Sequence, residues 1–258
     1  MPTRVGRTTY TYDAAGRVTR TVTKRIGKKP LVHHFYYATG AQPIGFTTSD
    51  EPGVGYRYVY DPYGRRVAKE LVDASTGDVL TRTVFAHAGD RLIAEQTTYD
   101  AWVPDSANSN DSTLGNSRTV HRVGAGYVWI HDPATGALIG QVTLTPTSNA
   151  PTDGSPAGQS HVSIYGQFML IMADLAGAPQ ELVDPDTGTV GGYATQTLYG
   201  IRTWHGEHTS PLLHTGQYLD VESGWAYNRY RYYHPHAGSY NAQDPLGVTP
   251  RLASAQGY

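Results

Sequence analysis

A chain of 258 residues with a formal net charge of −2 carries no basic excess that would draw it to nucleic acid or to an anionic membrane. It has no cysteine, which excludes disulfides, thiolate zinc sites and thiol catalysis, and no apolar run near the ~18 residues of a membrane span. Charged residues make up only 16% of it, whereas 29 glycines, 16 prolines and 20 tyrosines suit short strands joined by tight turns, with few helices.

The start, Met1-Pro2-Thr3-Arg4, has no apolar stretch behind it, so any export is expected to be directed from elsewhere. The first informative element is Tyr12-Asp13-Ala14-Ala15-Gly16-Arg17, which returns as Tyr60-Asp61-Pro62-Tyr63-Gly64-Arg65. Between them lies the decayed copy Tyr36-Tyr37-Ala38-Thr39-Gly40, so Gly16, Gly40 and Gly64 are evenly spaced by 24. Such a period marks repeated supersecondary units. Alternation of Tyr10 with Tyr12, and of Tyr56, Tyr58 and Tyr60, puts each set of rings on one face of a strand. The aspartate can accept backbone N–H bonds and the glycine three residues on can take a positive φ, so the chain reverses into a returning strand such as Val18 to Val22. Each unit is a β-hairpin. Lys24, Arg25, Lys28 and Lys29 read as a solvated hairpin end, and His33-His34 as exposed hairpin histidines.

Phe85-Ala86-His87-Ala88-Gly89-Asp90-Arg91-Leu92 continues the series one residue late. The stretches from Pro104 to Asn116 and from Pro146 to Gln159 are polar, rich in turn residues and aperiodic, and are expected to be long exposed or disordered loops; the sequon Asn110-Asp111-Ser112 in the first is discounted. Asp132-Pro133-Ala134-Thr135-Gly136, Asp184-Pro185-Asp186-Thr187-Gly188 and Asp220-Val221-Glu222-Ser223-Gly224 repeat the turn with one more residue, and Asp174-Leu175-Ala176-Gly177 is its short form. Phe168-Met169-Leu170-Ile171-Met172 reads as a buried strand of the same sheet.

His205-Gly206-Glu207-His208 with His214 gathers three imidazoles and a carboxylate, but not at the His-Glu-x-x-His spacing, and Gly206 and Pro211 oppose the helix that motif needs. No metal and no cofactor are expected. His234-Pro235-His236 lacks a third nearby ligand and is expected at an exposed hairpin. No nucleophile elbow, phosphate loop or dinucleotide fingerprint is present. If Tyr227 to Tyr233 is one strand, Tyr227, Arg229, Arg231 and Tyr233 share a face opposite Asn228, Tyr230 and Tyr232, and the stretch packs a core rather than stacking a ligand.

The run from Gly216 to Tyr233, with its Asn-Arg-Tyr-Arg-Tyr-Tyr ending, resembles the Rhs-repeat-associated core of bacterial polymorphic toxins, and Gln243-Asp244-Pro245-Leu246-Gly247 is similar to its Asp-Pro-x-Gly signature. Asp174 to Asp184 resembles the segment before that core, and residues 10 to 98 its Tyr-Asp repeats. The resemblance implies a long β-sheet spiralling into a hollow shell, with the core strip curling in to close one end around a toxin domain encoded after it; related eukaryotic shells serve adhesion. It also implies self-cleavage just after the core by two aspartates, of which Asp244 is the first, working as a carboxylate pair. Residues 248 to 258 contain no acidic residue, so the second aspartate is expected beyond the chain. His234 stands where the family often has Asp, and Ser239 where Arg is common, a cation that could orient a carboxylate.

The expected fold is therefore all-β: tandem hairpins in a curved or spiralling sheet, part of a β-shell, ending in the core strip. The expected division is hairpins over 1–98, a polar insertion over 99–122, further hairpins over 123–200 with a loop at 146–159, and the core over 201–258. The expected role is structural, the C-terminal portion of a toxin-encapsulating shell, secreted or at the cell surface. Its partners would be the enclosed toxin domain, the remaining shell repeats, and a secretion apparatus or target surface, with no nucleic acid and no membrane span. A surface adhesion or carbohydrate-binding module, and half of an aspartyl autoprotease with Asp244 as its catalytic residue, remain open at this point.

Overall fold

The computed structural model describes residues 2–104, 117–147, 163–214 and 216–244, and among them it contains strands and turns but no helix. Fifteen strands form one antiparallel ladder in chain order: β1 (Arg4–Val5), β2 (Thr8–Tyr12), β3 (Val18–Thr23), β4 (Leu31–Tyr37), β5 (Pro43–Thr48), β6 (Val54–Tyr60), β7 (Arg66–Asp73), β8 (Val79–Ala88), β9 (Arg91–Pro104), β10 (Ser117–His131), β11 (Leu138–Thr147), β12 (Ser163–Ala173), β13 (Pro179–Val183), β14 (Val190–Gln196) and β15 (Arg202–Gly206). A second sheet holds β16 (Tyr218–Asp220), β17 (Trp225–Asn228), β18 (Arg231–His234) and β19 (Ser239–Tyr240). The large ladder is open, since β1 pairs only with β2 and β15 only with β14. β9 and β10 extend on either side into the stretch expected as a polar insertion, and β15 places Arg202–Gly206 in the ladder rather than in the core strip. Most of the two polar loops, from 105 to 116 and from 148 to 159, lies outside the described residues.

The repeat works as its residues dictate. Asp13 Oδ1 accepts the N–H groups of Ala15 and Arg17 at 3.0 and 2.9 Å, and Gly16 sits at φ 73°, where a Cβ would cost energy. Asp61 and Gly64 copy this turn. The following arginine sets the period. Arg17 grips its own aspartate at 2.8 Å and then the carbonyls of Ala38 and Gly40, while Arg65 does the same with Asp61 and Gly89. Each turn is thereby tied to the next one along the same edge, about one repeat away. At the basic hairpin end, Arg25 bonds both oxygens of Asp50 at 2.6 and 2.8 Å.

The cross-strand register puts Tyr10, Thr21, His33 and Thr48 in one row and Phe35, Phe46 and Tyr56 in the next, all on one face. That face receives the small sheet. Trp225 stacks on Phe35 at 3.8 Å between centroids with both rings buried, an arrangement worth ~0.5–1.5 kcal/mol beyond area burial. The small sheet also shows that the large one curls. Asn241 O accepts Val18 N–H at 2.9 Å on β3, while Tyr233, cross-strand partner of neighbouring Tyr240, donates its hydroxyl to Tyr199 O at 3.0 Å beyond β14. Laid flat, those two points would be on the order of 50 Å apart at ~4.8 Å per strand. One hairpin spans them only because the ladder wraps around it.

Two local expectations fail. Phe168-Met169-Leu170-Ile171-Met172 lies in the sheet, but only Met169 and Ile171 are buried, and Phe168, Leu170 and Met172 are exposed on the opposite face. Strand alternation splits the run, because a single layer covers one side only. Tyr227 to Tyr233 is not one strand either: it is a hairpin turning at Arg229 and Tyr230, so Tyr227 and Tyr232 pair across the ladder on one buried face. Arg229 adopts φ 48°, unusual outside glycine. Tertiary contacts hold it there: its guanidinium pairs with Asp90 at 2.5 Å, its carbonyl accepts Gln42 Nε2, and Tyr230 lies over Gly64.

Candidate functional site

The face between the two sheets carries most of the buried polar chemistry. Arg66 begins β7 on the tyrosine face and is 1% exposed; Asp220 ends β16 and is fully buried. Arg66 Nη1 donates to Asp220 Oδ2 at 2.5 Å and to the Tyr232 hydroxyl at 3.2 Å, and the Arg66 N–H donates to the Tyr227 hydroxyl at 2.9 Å. Its Nε and Nη2 have no hydrogen-bond acceptor among the described residues. Rings replace one: the guanidinium lies 4.6 Å from the centroids of Phe85 and Tyr227, 5.2 Å from Tyr218 and 5.5 Å from Tyr58. Burial alone would lower this arginine's proton affinity, but the charge of Asp220 overrides it and holds the group protonated.

Lys69, one turn of pleat further along β7, bridges Asp220 Oδ1 at 3.2 Å and Glu222 Oε2 at 3.1 Å, and Tyr58 donates to Glu222 Oε1 at 3.1 Å. Burial and the neighbouring Asp220 charge raise the Glu222 carboxyl above its ordinary range. Two cations from the repeats thus meet two carboxylates from the core strip. The sequence reading assigned Asp220 to a turn; its carbonyl does accept Gly224 N–H at 2.8 Å, but its carboxylate points at the repeats. The available signal was the doubled Arg65-Arg66, of which the turn needs only the first.

A cavity of about 600 Å³ opens beside this cluster, lined by His33, Tyr56 and the threonines of the repeat face and by Glu222, Trp225, His234 and His236 of the core strip. His33 and His234 are not the exposed hairpin histidines expected. His33 is half-buried beneath the core strip with its ring edge against Phe46, and burial lowers it to about 4. His234 is 9% exposed, its Nδ1 lies 3.1 Å from the Tyr10 hydroxyl, and burial lowers it to about 3. The pattern misled because docking of a second sheet, invisible to local periodicity, covers both. His34 and His236 are exposed.

Asp244 is half-buried at the end of the described chain, and Arg231 Nη2 donates to its Oδ2 at 2.8 Å. Arg231 itself lies 3.9 Å from the Tyr240 centroid, so the cation beside Asp244 comes from β18 and not from position 239. Pro245 and Gly247 lie outside the described residues. His205 stacks on Tyr193 at 4.9 Å and bonds Thr195, and among the described residues no group of three His, Asp or Glu is placed to hold a metal ion.

No family model matches the chain. It is similar to the probable deoxyribonuclease RhsB of Dickeya dadantii, at 28% identity over 251 residues, covering 93% of this chain and 14% of that protein. It is also similar to toxin protein Tse5 of Pseudomonas aeruginosa, at 28% identity over 257 residues, covering 95% and 17%. Over nearly its whole length the chain is similar to Rhs proteins. It spans only 14 to 17% of those Rhs relatives' length. Among solved structures, TcdB2-TccC3-TEV aligns with a TM-score of 0.39 at 15% identity, over 95% of this chain and 14% of that one. Among the described residues, the ion cluster joins the repeats to the small sheet, and no helix is long and apolar enough to cross a membrane.

Proposed function

We propose that this chain is the C-terminal portion of an Rhs shell that encloses a toxin domain encoded after it, and that its part is structural. The observation that carries the reading is the buried Arg66–Asp220 pair. It joins the repeat wall to the core strip through charges that water does not reach, so the strip is a seated plug and not a mobile module. On this reading residues 1–98 and 123–200 build wall together with the ladder residues 99–104, 117–122 and 202–206, and the core strip follows them. The partners are the toxin domain and further wall repeats, with a secretion apparatus or target surface outside, and the protein acts secreted or at the cell surface. In the full-length gene product, the downstream domain should resist added protease in the parent and become digestible in Asp220→Ala. Ready digestion in the parent would remove the encapsulation reading.

A second reading concerns Asp244, as one carboxylate of an aspartyl self-cleavage pair. The bond from Arg231 favours it, because a fixed carboxylate is what a pair needs if one member is to stay protonated while the other activates water. Asp244→Asn in the full-length gene product should abolish cleavage after the core. Equal cleavage on a denaturing gel leaves Asp244 as a turn residue.

A further inference from the structure

We propose that His33 and His234, with His236 at the rim, form an acid-sensitive latch that holds the core strip on the repeat wall at neutral pH and releases it as pH falls. The inference rests on the reading of the core strip as a docked plug.

The geometry comes first. His33 stands on β4 of the wall and His234 on β18 of the core strip, so neither sheet alone buries both. The His234 ring faces Tyr10 from β2 at 5.7 Å, Trp225 from β17 at 5.5 Å and His236 at 5.8 Å, and His33 raises the local positive potential when charged. Among the described residues its hydrogen-bond partner is the Tyr10 hydroxyl and not a carboxylate. His33 faces Phe35 and Phe46, with Asp50, Arg25 and His34 the charged or titratable groups around it; Asp50 is committed to Arg25. Tyr10, pushed up to about 12, stays neutral throughout. The cavity of about 600 Å³ opens against all three imidazoles, so protons and water reach the interface without prior unfolding.

Undocking returns both rings to water, where an imidazole titrates near 6.5. Docked, they titrate near 4 and 3. The undocked state therefore binds more protons at every pH between those values, and docking weakens as pH falls from 6.5. Each ring contributes about tenfold per pH unit, so the pair contributes about a hundredfold. Docking is at full strength above 6.5, and the loss levels off only near the docked values. Glu222 works against this, since its raised carboxyl takes a proton more readily when docked. Glu95 on β9, raised by burial beneath Tyr218 of the core strip, works against it too, so the net slope is smaller than the two imidazoles alone would give. Below about pH 5 the first proton added to the docked interface meets a second imidazole nearby, which steepens the release.

Hydrogen–deuterium exchange of the whole protein, corrected for intrinsic rates, at about pH 7.5, 6 and 5 tests this. Peptides spanning 218–240 should lose protection by up to about a hundredfold per unit below 6.5, while the wall hairpin 54–73 keeps its own. In a His33→Gln/His234→Gln variant, whose glutamine can still accept from Tyr10, protection of 218–240 should stay level or rise as pH falls, because both carboxyls remain. Parent protection that does not change between pH 7.5 and 5, simultaneous loss across both regions, or a variant that follows the parent curve would each overturn the latch. If the double variant fails to fold, His33→Gln alone should make the slope shallower by about tenfold per unit, and an unchanged slope overturns it. Absence of protection over 218–240 at pH 7.5 would instead remove the docked plug itself.

Discussion

Replacing Asp220 by alanine removes the only carboxylate on Arg66 among the described residues and leaves a guanidinium that is 1% exposed, with Nε and Nη2 already lacking acceptors among those residues. Lys69 is less affected, because Glu222 remains at 3.1 Å. Stranding one buried charge costs ~3–5 kcal/mol, and the four nearest rings cannot offset it, since they surround the guanidinium equally in both proteins. At this size the loss corresponds to ~10 °C in melting temperature. Removing both charges is a different matter: Arg66→Met with Asp220→Leu fills the same space without desolvated ions, and should lie within ~1 kcal/mol of the parent or above it. Urea unfolding followed by tryptophan fluorescence measures the parent, Arg66→Met, Asp220→Leu and the double variant, and the coupling energy of that cycle should be several kcal/mol in favour of the pair. A cost below ~1 kcal/mol for Asp220→Ala, or a double variant as unstable as the sum of the singles, would show that the ion pair does not join wall to core.

Trp225→Ala, which removes a buried ring stacked on Phe35 at 3.8 Å, should cost ~3–5 kcal/mol and be the most damaging single aromatic truncation in the core strip by the same unfolding assay. Gly64→Ala and Gly77→Ala both force alanine to a φ near 80°, but a Cβ on Gly64 would meet Tyr230 at 2.8 Å and one on Gly77 meets nothing, so only the first should loosen the core hairpin, read as exchange over 225–234. Below about pH 4 the hairpin turns of the ladder should lose stability. Asp132 and Asp184 are held below the usual carboxylate range by the backbone N–H groups of Thr135 and Thr187, so their contribution is present above that range and lost as pH drops through the lowered values; circular dichroism should place this transition well below the release of the core strip.

The hairpins were legible because each is a local device: an aspartate, a positive-φ glycine and an alternating tyrosine face lie within a dozen residues, and the arginine after the glycine makes the period physical. What local pattern could not reach is what one sheet does to the other. Arg66 and Asp220 are 154 residues apart, and each also has a plausible local role beside a turn. His33 and His234 look like surface residues until a second sheet covers them. The two central residues of the core hairpin turn, Arg229 and Tyr230, are neither glycine, proline, asparagine nor aspartate, and Asn228 at its first position is the one local signal.

That turn shows how the two levels meet. A left-handed arginine costs on the order of 1 kcal/mol by itself, and the chain accepts it because Asp90 at the β8–β9 turn, Gln42 before β5 and Gly64 at the β6–β7 turn each take one of its groups or its neighbour's ring. Those three anchors lie on successive hairpin connections along one edge of the wall, the edge on which Arg17 and Arg65 set the spacing. The conformation of the core hairpin is thus specified by the pitch of the repeats beneath it. A one-repeat deletion in the wall, removing residues 41 to 64, should leave the remaining hairpins intact while the core hairpin loses Gln42 and Gly64 together. Retained protection over 225–234 in that variant would show that the hairpin sets its own geometry without the wall.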